Sequence, residues 1–545
     1  MKVKDGFQNW SVAIICLLLM VCVSCVFTSP DQTISQQSDK DSERDDRIAD
    51  SRNREGGGKG DNGNRGGGKG DNRNRGGGKG GNRNRGGGKG RNNRVIPTGP
   101  VFQQLGLIKY DKDKVYNGYT LFAPKHYEKT YLMSMSGQVY KEWTSEYEPG
   151  QSVYLLENGN LLRCCFTKNQ SFIGGGEGGR MEEYDWDGNM VWSMWYSDDT
   201  KLSHHDIEPM PNGNLLVMVV QLKTKAECIA AGFDAGMMRS DTLFPESIIE
   251  IERFGSQGFE IVWEWQVWDH LIQDRNKNVV NYGSIKDNPG RVDCNAGGRR
   301  TPAFWNHANS IDYNPKFDQI CLNARGQNEF WIIDHTTTTE EAKGSTGGKY
   351  GKGGDLLYRW GNPAVYGGGS ADDQRLYLQH DSQWIEDDCP GAGNFLVYNN
   401  GSRRGYSSVD EIDVLQDEEG FFPEYKPGQI WGPKDQTWIY TTTPKEDMYS
   451  TEISGASRLP NGNTLVCAGT VGHFLEVEKD GNIVWEYRNP VARDGQLREG
   501  DGIPLDVRGH QYNAVFKIRR YAPDYPAFQG KEMTPIMDSL VLPKE

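Results

Sequence analysis

Several signatures are missing from this chain, and each absence removes a class of function. No cysteine spacing resembles a zinc knuckle. No phosphate-cradling loop stands between a strand and a helix: the GGGKG units lack a Lys-Ser/Thr pair, and GGGEGGR (Gly174 to Arg180) is acidic. Positive charge is sparse where a body would fold. Residues 1–95 hold 18 Lys+Arg against 11 Asp+Glu, a balance of +7, so the remaining chain carries −21 of the total −14. An acidic body lacks the basic stripe that nucleic acid requires. No Leu stands three residues before Cys25, so CVSC is not a lipid-attachment box. Histidine is scarce, nine in 545 residues, which makes its placement informative.

What is present divides the chain in three. Lys2 and Lys4 precede an uncharged 18-residue run, Trp10 to Phe27, with small Cys22 and Ser24 near its end. Residues 1–30 thus read as a signal peptide or an N-terminal membrane anchor, and either sends the rest of the chain out of the cytosol, secreted or tethered by a single pass. Residues 31–95 repeat a Gly/Asn/Arg-rich unit with a ten-residue period through Arg65, Arg75 and Arg85. Such composition cannot bury a core and reads as a disordered tether. Residues 96–545 form the body. In an oxidising compartment some of its seven cysteines (Cys164, Cys165, Cys228, Cys294, Cys321, Cys389, Cys467) are expected to pair. Asn169-Gln-Ser171 and Asn400-Gly-Ser402 are glycosylation sequons, usable in a secretory lumen.

The body is a repeat. Six tryptophan-marked tails recur, at Trp143, Trp192, Trp263, Trp360, Trp431 and Trp485, with turn signals such as DGN ahead of alternating apolar residues. Six inner strands end at turns such as Asn158, Asn212, Asn314 and Asn461. The first tail has no complete inner strand before it, and the last inner strand, HQYNAVFKI, has no tail after it. Gly118 to Trp143 and His510 to Tyr521 therefore share one blade. The fold class is all-β: a six-bladed β-propeller closed by N- and C-terminal strands sharing one blade, with long connections at 227–247, 269–303 and 335–353.

Inner strands of a propeller line its channel, so equivalent positions face one another. Stepping back seven residues from the turn asparagines gives Gln151, His205, His307 and Ser454; His380 starts a longer copy, and His510 starts the sixth. Arg325, on the strand after His307, is placed to reach the same end, unless it pairs with Asp334. Arg403 and Arg404 follow the His380 hairpin and are weaker candidates. Imidazoles with one guanidinium suit a tetrahedral oxyanion.

HHDIEPMPNGN, WNHANSIDYNP followed by NAR, and LQHDSQW resemble the arylsulfotransferases that work without a nucleotide donor. The resemblance spans roughly Gly118 to Phe528. It implies transfer of a sulfuryl group from an aryl sulfate to a phenolic acceptor by a ping-pong route through a sulfohistidine, with no cofactor and no metal. It implies His380 as nucleophile, with His205, His307 and Arg325 holding the sulfuryl oxygens and His205 or His307 moving the phenolic proton. His204, Gln151, Ser454, His510 and Arg403 are then substrate-binding candidates, and either His204 or His205 faces the channel. Bacterial members carry a small N-terminal β-domain used in dimer formation; a tether stands there in this chain, so nothing follows about oligomeric state. Two other readings stand beside this one: a histidine-ligated metal enzyme, and a non-catalytic propeller that binds glycan or protein.

Overall fold

The computed structural model describes residues 99–296 and 301–545. The Trp10 to Phe27 run and the Gly/Asn/Arg repeats lie outside the described residues. Among the described residues no helix is long and apolar enough to cross a membrane.

Six sheets of antiparallel strands make six blades. Blade 1 joins Tyr119–Phe122, Lys129–Ser134 and Val139–Thr144 to the C-terminal strand Arg519–Tyr521, with Tyr119 opposite Tyr521. Blade 2 runs from Pro149 to Trp195, blade 3 from Lys201 to Gln266, blade 4 from Ala308 to Trp360 and blade 5 from His380 to Tyr440. Blade 6 runs from Gly455 to Arg488 and gains a fifth strand, Gly106–Tyr110, which pairs with Ile483–Arg488. That early strand lies ahead of the repeat and escaped the sequence pattern. The long connections hold short helices, such as Lys225–Ala231 behind a Thr224/Glu227 capping box.

The strand period of two drives the packing. In blade 4, Trp331 and Ile333 join residues of blade 3, while Phe330 and Ile332 turn to blade 5. The same division operates elsewhere. Six apolar clusters fill the six seams, including one between blades 6 and 1 built from Phe474, Trp485, Tyr131 and Phe122. Both faces of each blade are buried, so the strands read as near-continuous apolar runs, LLVMVV at Leu215 to Val220 for example.

Each tail tryptophan also has a polar task. Its indole N–H donates to the outer hairpin of the next blade: Trp143 to Asp185 O (3.0 Å), Trp192 to Gly258 O (3.1 Å), Trp263 to Thr337 Oγ1 (3.3 Å), Trp360 to Pro433 O (2.9 Å) and Trp485 to Met135 O (2.8 Å). A buried indole needs such a partner, which explains why tryptophan, and not another aromatic residue, marks the repeat. In blade 5 the donor is Trp438, to Lys479 O at 2.9 Å. The expected fifth tail at Trp431 is thus corrected: Trp431 lies outside any strand, buried against Tyr358 and Tyr425.

The cysteines also depart from expectation. All seven are free and buried. They serve as small apolar residues, mostly in different seams; Cys228 and Cys294 share one without bridging.

Candidate active site

Three of the expected imidazoles meet at the channel. The His205 and His307 rings are 5.1 Å apart, and Phe516 lies 6.2 Å from His205 and 6.5 Å from His380. His205, His307 and His380 each lie within electrostatic reach of Arg325. The backbone explains the convergence. Gln151, His205, His307 and Ser454 all have left-handed φ, at 96°, 51°, 45° and 103°. Strand register shifts beside three of them, and again after His380 in blade 5. A bulge at the same height in each inner strand re-aims the side chain toward the axis.

Burial holds the imidazoles neutral. His205, His307 and His380 are pulled well below the ordinary histidine range by desolvation, then by one another and by Arg325. Arg325 is lowered too, by burial, but a guanidinium remains charged. It sits in the turn Arg325–Gln327, and its Nε has no hydrogen-bond partner. It does not pair with Asp334, which accepts from Thr336. A guanidinium with an unpartnered Nε among neutral imidazoles suits an anion, with the Glu452 carboxylate as the one opposite charge acting on it.

His380 is held at two points. Its Nδ1 lies 2.7 Å from Asn400 Oδ1, and the Asn400 amide donates to Ser450 O and Ile453 O, which fixes the oxygen toward the ring. The proton is therefore on Nδ1 and the lone pair on Nε2. The Ile453 amide donates to that lone pair at 3.1 Å. Asn400 is fully buried and spent on this contact, so its sequon is not an accessible acceptor.

The remaining candidates fall elsewhere. Gln151 is buried at its register position with Oε1 unpartnered. Ser454 is tied to Ser450 Oγ and Gly469 N, inside the frame. Arg403 is exposed in the hairpin, and Arg404 bonds Asn399 O and Ser408 Oγ. His510 is corrected outright. It is 41% exposed beside Asp506, and the sixth channel position falls to Phe516, whose carbonyl accepts from Ser454 N. Phe516 stands six residues after His510, and the inner strand itself begins only at Arg519, because Asp506 to His510 forms a turn of its own.

Sequence reasoning missed four features. Lys125 adds positive charge near His380. Asn400 sets the His380 tautomer. Gly176 (φ 85°) comes so close to the His205 ring that a Cβ there would stand 1.8 Å from Cε1, and its carbonyl accepts from His205 N. Beneath the imidazoles, Lys517 Nζ bridges Asp206 (2.7 Å) and Asp381 (3.2 Å). The repeated His-Asp pair in HDIEP and HDSQW was the available signal for that bridge. Among the described residues, no group of three or more His, Cys, Asp or Glu is arranged to hold a metal ion.

The family model for arylsulfotransferase (ASST) matches residues 129–496, which include every element of this site except Lys125 and the Phe516–Lys517 segment. The chain belongs to the arylsulfotransferase family. Membership supports aryl sulfotransfer as the general activity, on small aryl sulfates and phenols. No curated protein matches the chain. Solved structures similar to this arylsulfotransferase-family propeller include a protein of unknown function from Bacteroides caccae (11% identity, 74% of this chain and 98% of that chain, TM-score 0.37). Another is a virginiamycin B lyase from Staphylococcus aureus (11% identity, 76% and 98%, TM-score 0.31). At those scores they carry no argument about chemistry.

Proposed function

We propose that this chain moves a sulfuryl group from an aryl sulfate to a phenol by a ping-pong route through sulfated His380, with no nucleotide donor. The observation that carries this reading is the His380 contact set: Asn400 holds the proton on Nδ1 and leaves Nε2 as the nucleophilic nitrogen, within electrostatic reach of Arg325, whose Nε has no hydrogen-bond partner. In the first step the Nε2–S bond forms, the S–O(aryl) bond breaks, and the electron pair leaves on the aryl oxide. In the second, the phenolic oxygen attacks sulfur, its proton passes to His205 or His307, and the pair in the N–S bond returns to His380. Charge spread over the three equatorial oxygens meets Arg325 and Lys125, the electrostatic work that dominates such transfers. Attack requires the Ile453 amide to release Nε2, and Ile453 and Ser454 both sit in left-handed backbone, φ 47° and 103°.

The test is mass spectrometry of protein exposed to p-nitrophenyl sulfate alone. A sulfated peptide containing His380 is expected, and His380→Asn should abolish both the label and turnover. A His380→Asn variant working at the wild-type rate would remove His380 as nucleophile. The propeller domain is assigned residues 96–545, and its extracytoplasmic placement rests on the Trp10 to Phe27 run.

A further inference from the structure

Adjacent residues of a strand normally point to opposite faces. His204 and His205 do not, because the left-handed backbone at His205 breaks the alternation. Their rings meet edge to face at 5.2 Å, and the two Nδ1 atoms lie 2.9 Å apart. Only one proton fits between two such nitrogens, so the tautomer of one ring dictates that of the other.

The surroundings decide which. His204 is 3% exposed, and the Val219 backbone is the one neighbour that favours a proton on its ring. Its Nδ1 faces His205 and its Nε2 has no hydrogen-bond partner among the described residues, so a proton on Nε2, away from His205, leaves Nδ1 its lone pair. His205 then donates from Nδ1 and presents a bare Nε2. Among the described residues no hydrogen bond reaches that nitrogen, which lies against Gly176 at the lip of the glycine loop. The groups that bear most on His205 after burial are His307, His204, His380 and Arg325, while Glu177 of the glycine loop bridges the His204 backbone. Asp206, next in the chain, turns away to Lys517, Ser152 and Tyr154.

We propose that His204 is a positioning residue that makes His205 the base of the acceptor half-reaction. This rests on the sulfuryl-transfer reading above. The phenol gives its proton to His205 Nε2 as its oxygen attacks sulfur, and the N–S pair returns to His380. The resulting His205 imidazolium is steadied by donating Nδ1–H to His204 Nδ1. In the next donor half-reaction the same proton passes to the departing aryl oxide, so the cycle balances. An aspartate in the place of His204 would orient the ring equally well but would set a negative charge beside the sulfuryl oxygens. A neutral imidazole orients without repelling them.

The experiment compares wild type, His204→Phe and His204→Asn in the two half-reactions separately, with full-length protein. The burst from p-nitrophenyl sulfate releases an acidic phenol, needs little proton transfer, and should stay within about threefold in His204→Phe. Desulfation of the sulfo-enzyme by phenol, un-ionised at pH 7, should fall about 10²-fold. Desulfation by pentafluorophenol, ionised at that pH, should stay within about threefold of wild type, since no base is needed. His204→Asn, whose amide oxygen can accept from His205 Nδ1, should recover about tenfold of the loss with phenol. Equal losses with both acceptors, or no loss with phenol, would overturn the assignment. Should His204→Phe fail to fold, the phenol-to-pentafluorophenol ratio in His204→Asn decides alone. A wild-type protein giving neither burst nor label would instead refute the sulfuryl-transfer reading itself.

Discussion

Replacing Lys517 with methionine isolates the bridge beneath the site. Lys517 is 8% exposed and touches two carboxylates, Asp206 at 0% and Asp381 at 6% exposure. Burial works against its charge, but Asp206 and Asp381 more than compensate and hold the ammonium above its ordinary pKa. Methionine keeps the volume and removes the charge, leaving two buried carboxylates facing each other. Breaking a buried ion pair from one side costs about 3–5 kcal/mol. A body of about 450 residues unfolds with an entropy near 0.95 kcal/mol/K, so the melting temperature should drop by about 3–5 °C. The assay is differential scanning calorimetry of wild type and Lys517→Met at one pH and scan rate. The double variant Lys517→Met/Asp381→Asn should regain part of the loss, because one of the stranded charges is gone. Asp206 and Asp381 directly follow His205 and His380, so splaying them should also lower turnover by about tenfold or more. A melting shift below about 1 °C, or no recovery in the double variant, would refute the claim that this charge holds the inner strands together.

Gly176→Ala places a methyl carbon where the His205 ring now stands, and the left-handed backbone adds about 1 kcal/mol of strain. Turnover should fall about 10²-fold through displaced His205 or an opened loop, with little change in melting temperature; activity within twofold of wild type would refute the contact. Glu246 is pushed up to about 7 by burial, although Ala308 N donates to it. A raised carboxyl contributes stability that is complete below its ordinary 4.5 and is lost as pH rises through about 7. Glu246→Gln should therefore gain about 2 kcal/mol on wild type between pH 5 and pH 8, read from urea unfolding midpoints.

The six-blade count and the height of the channel residues were legible because each inner strand ends at a turn rich in Asn and Gly. Counting back from Asn158, Asn212, Asn314 and Asn461 lands on four residues that all have left-handed φ. The method failed where it lacked that anchor. At His510 an extra turn through Asp506 displaced the register, and at Trp431 an aromatic residue outside the strands mimicked a tail. Gly106–Tyr110 carries no repeat signal because it only covers an edge. Asn400, Gly176 and Lys125 were invisible for a different reason. Asn400 stands 20 residues after His380 at the end of the neighbouring strand, Gly176 reaches His205 from the preceding blade, and Lys125 reaches His380 from blade 1, and none of these contacts follows the repeat's own period.

The indole contacts described above run unbroken from blade to neighbouring blade, and the seam between the last and the first is bonded like the rest. Each seam between blades is thus pinned at its outer edge by an indole hydrogen bond. On the proposed reaction, a donor would reach His380 along the axis, past half-buried His307 and the glycine loop beside His205. Substrate choice would then belong to the loops crowning that mouth, and could be rewritten there without disturbing a single tryptophan.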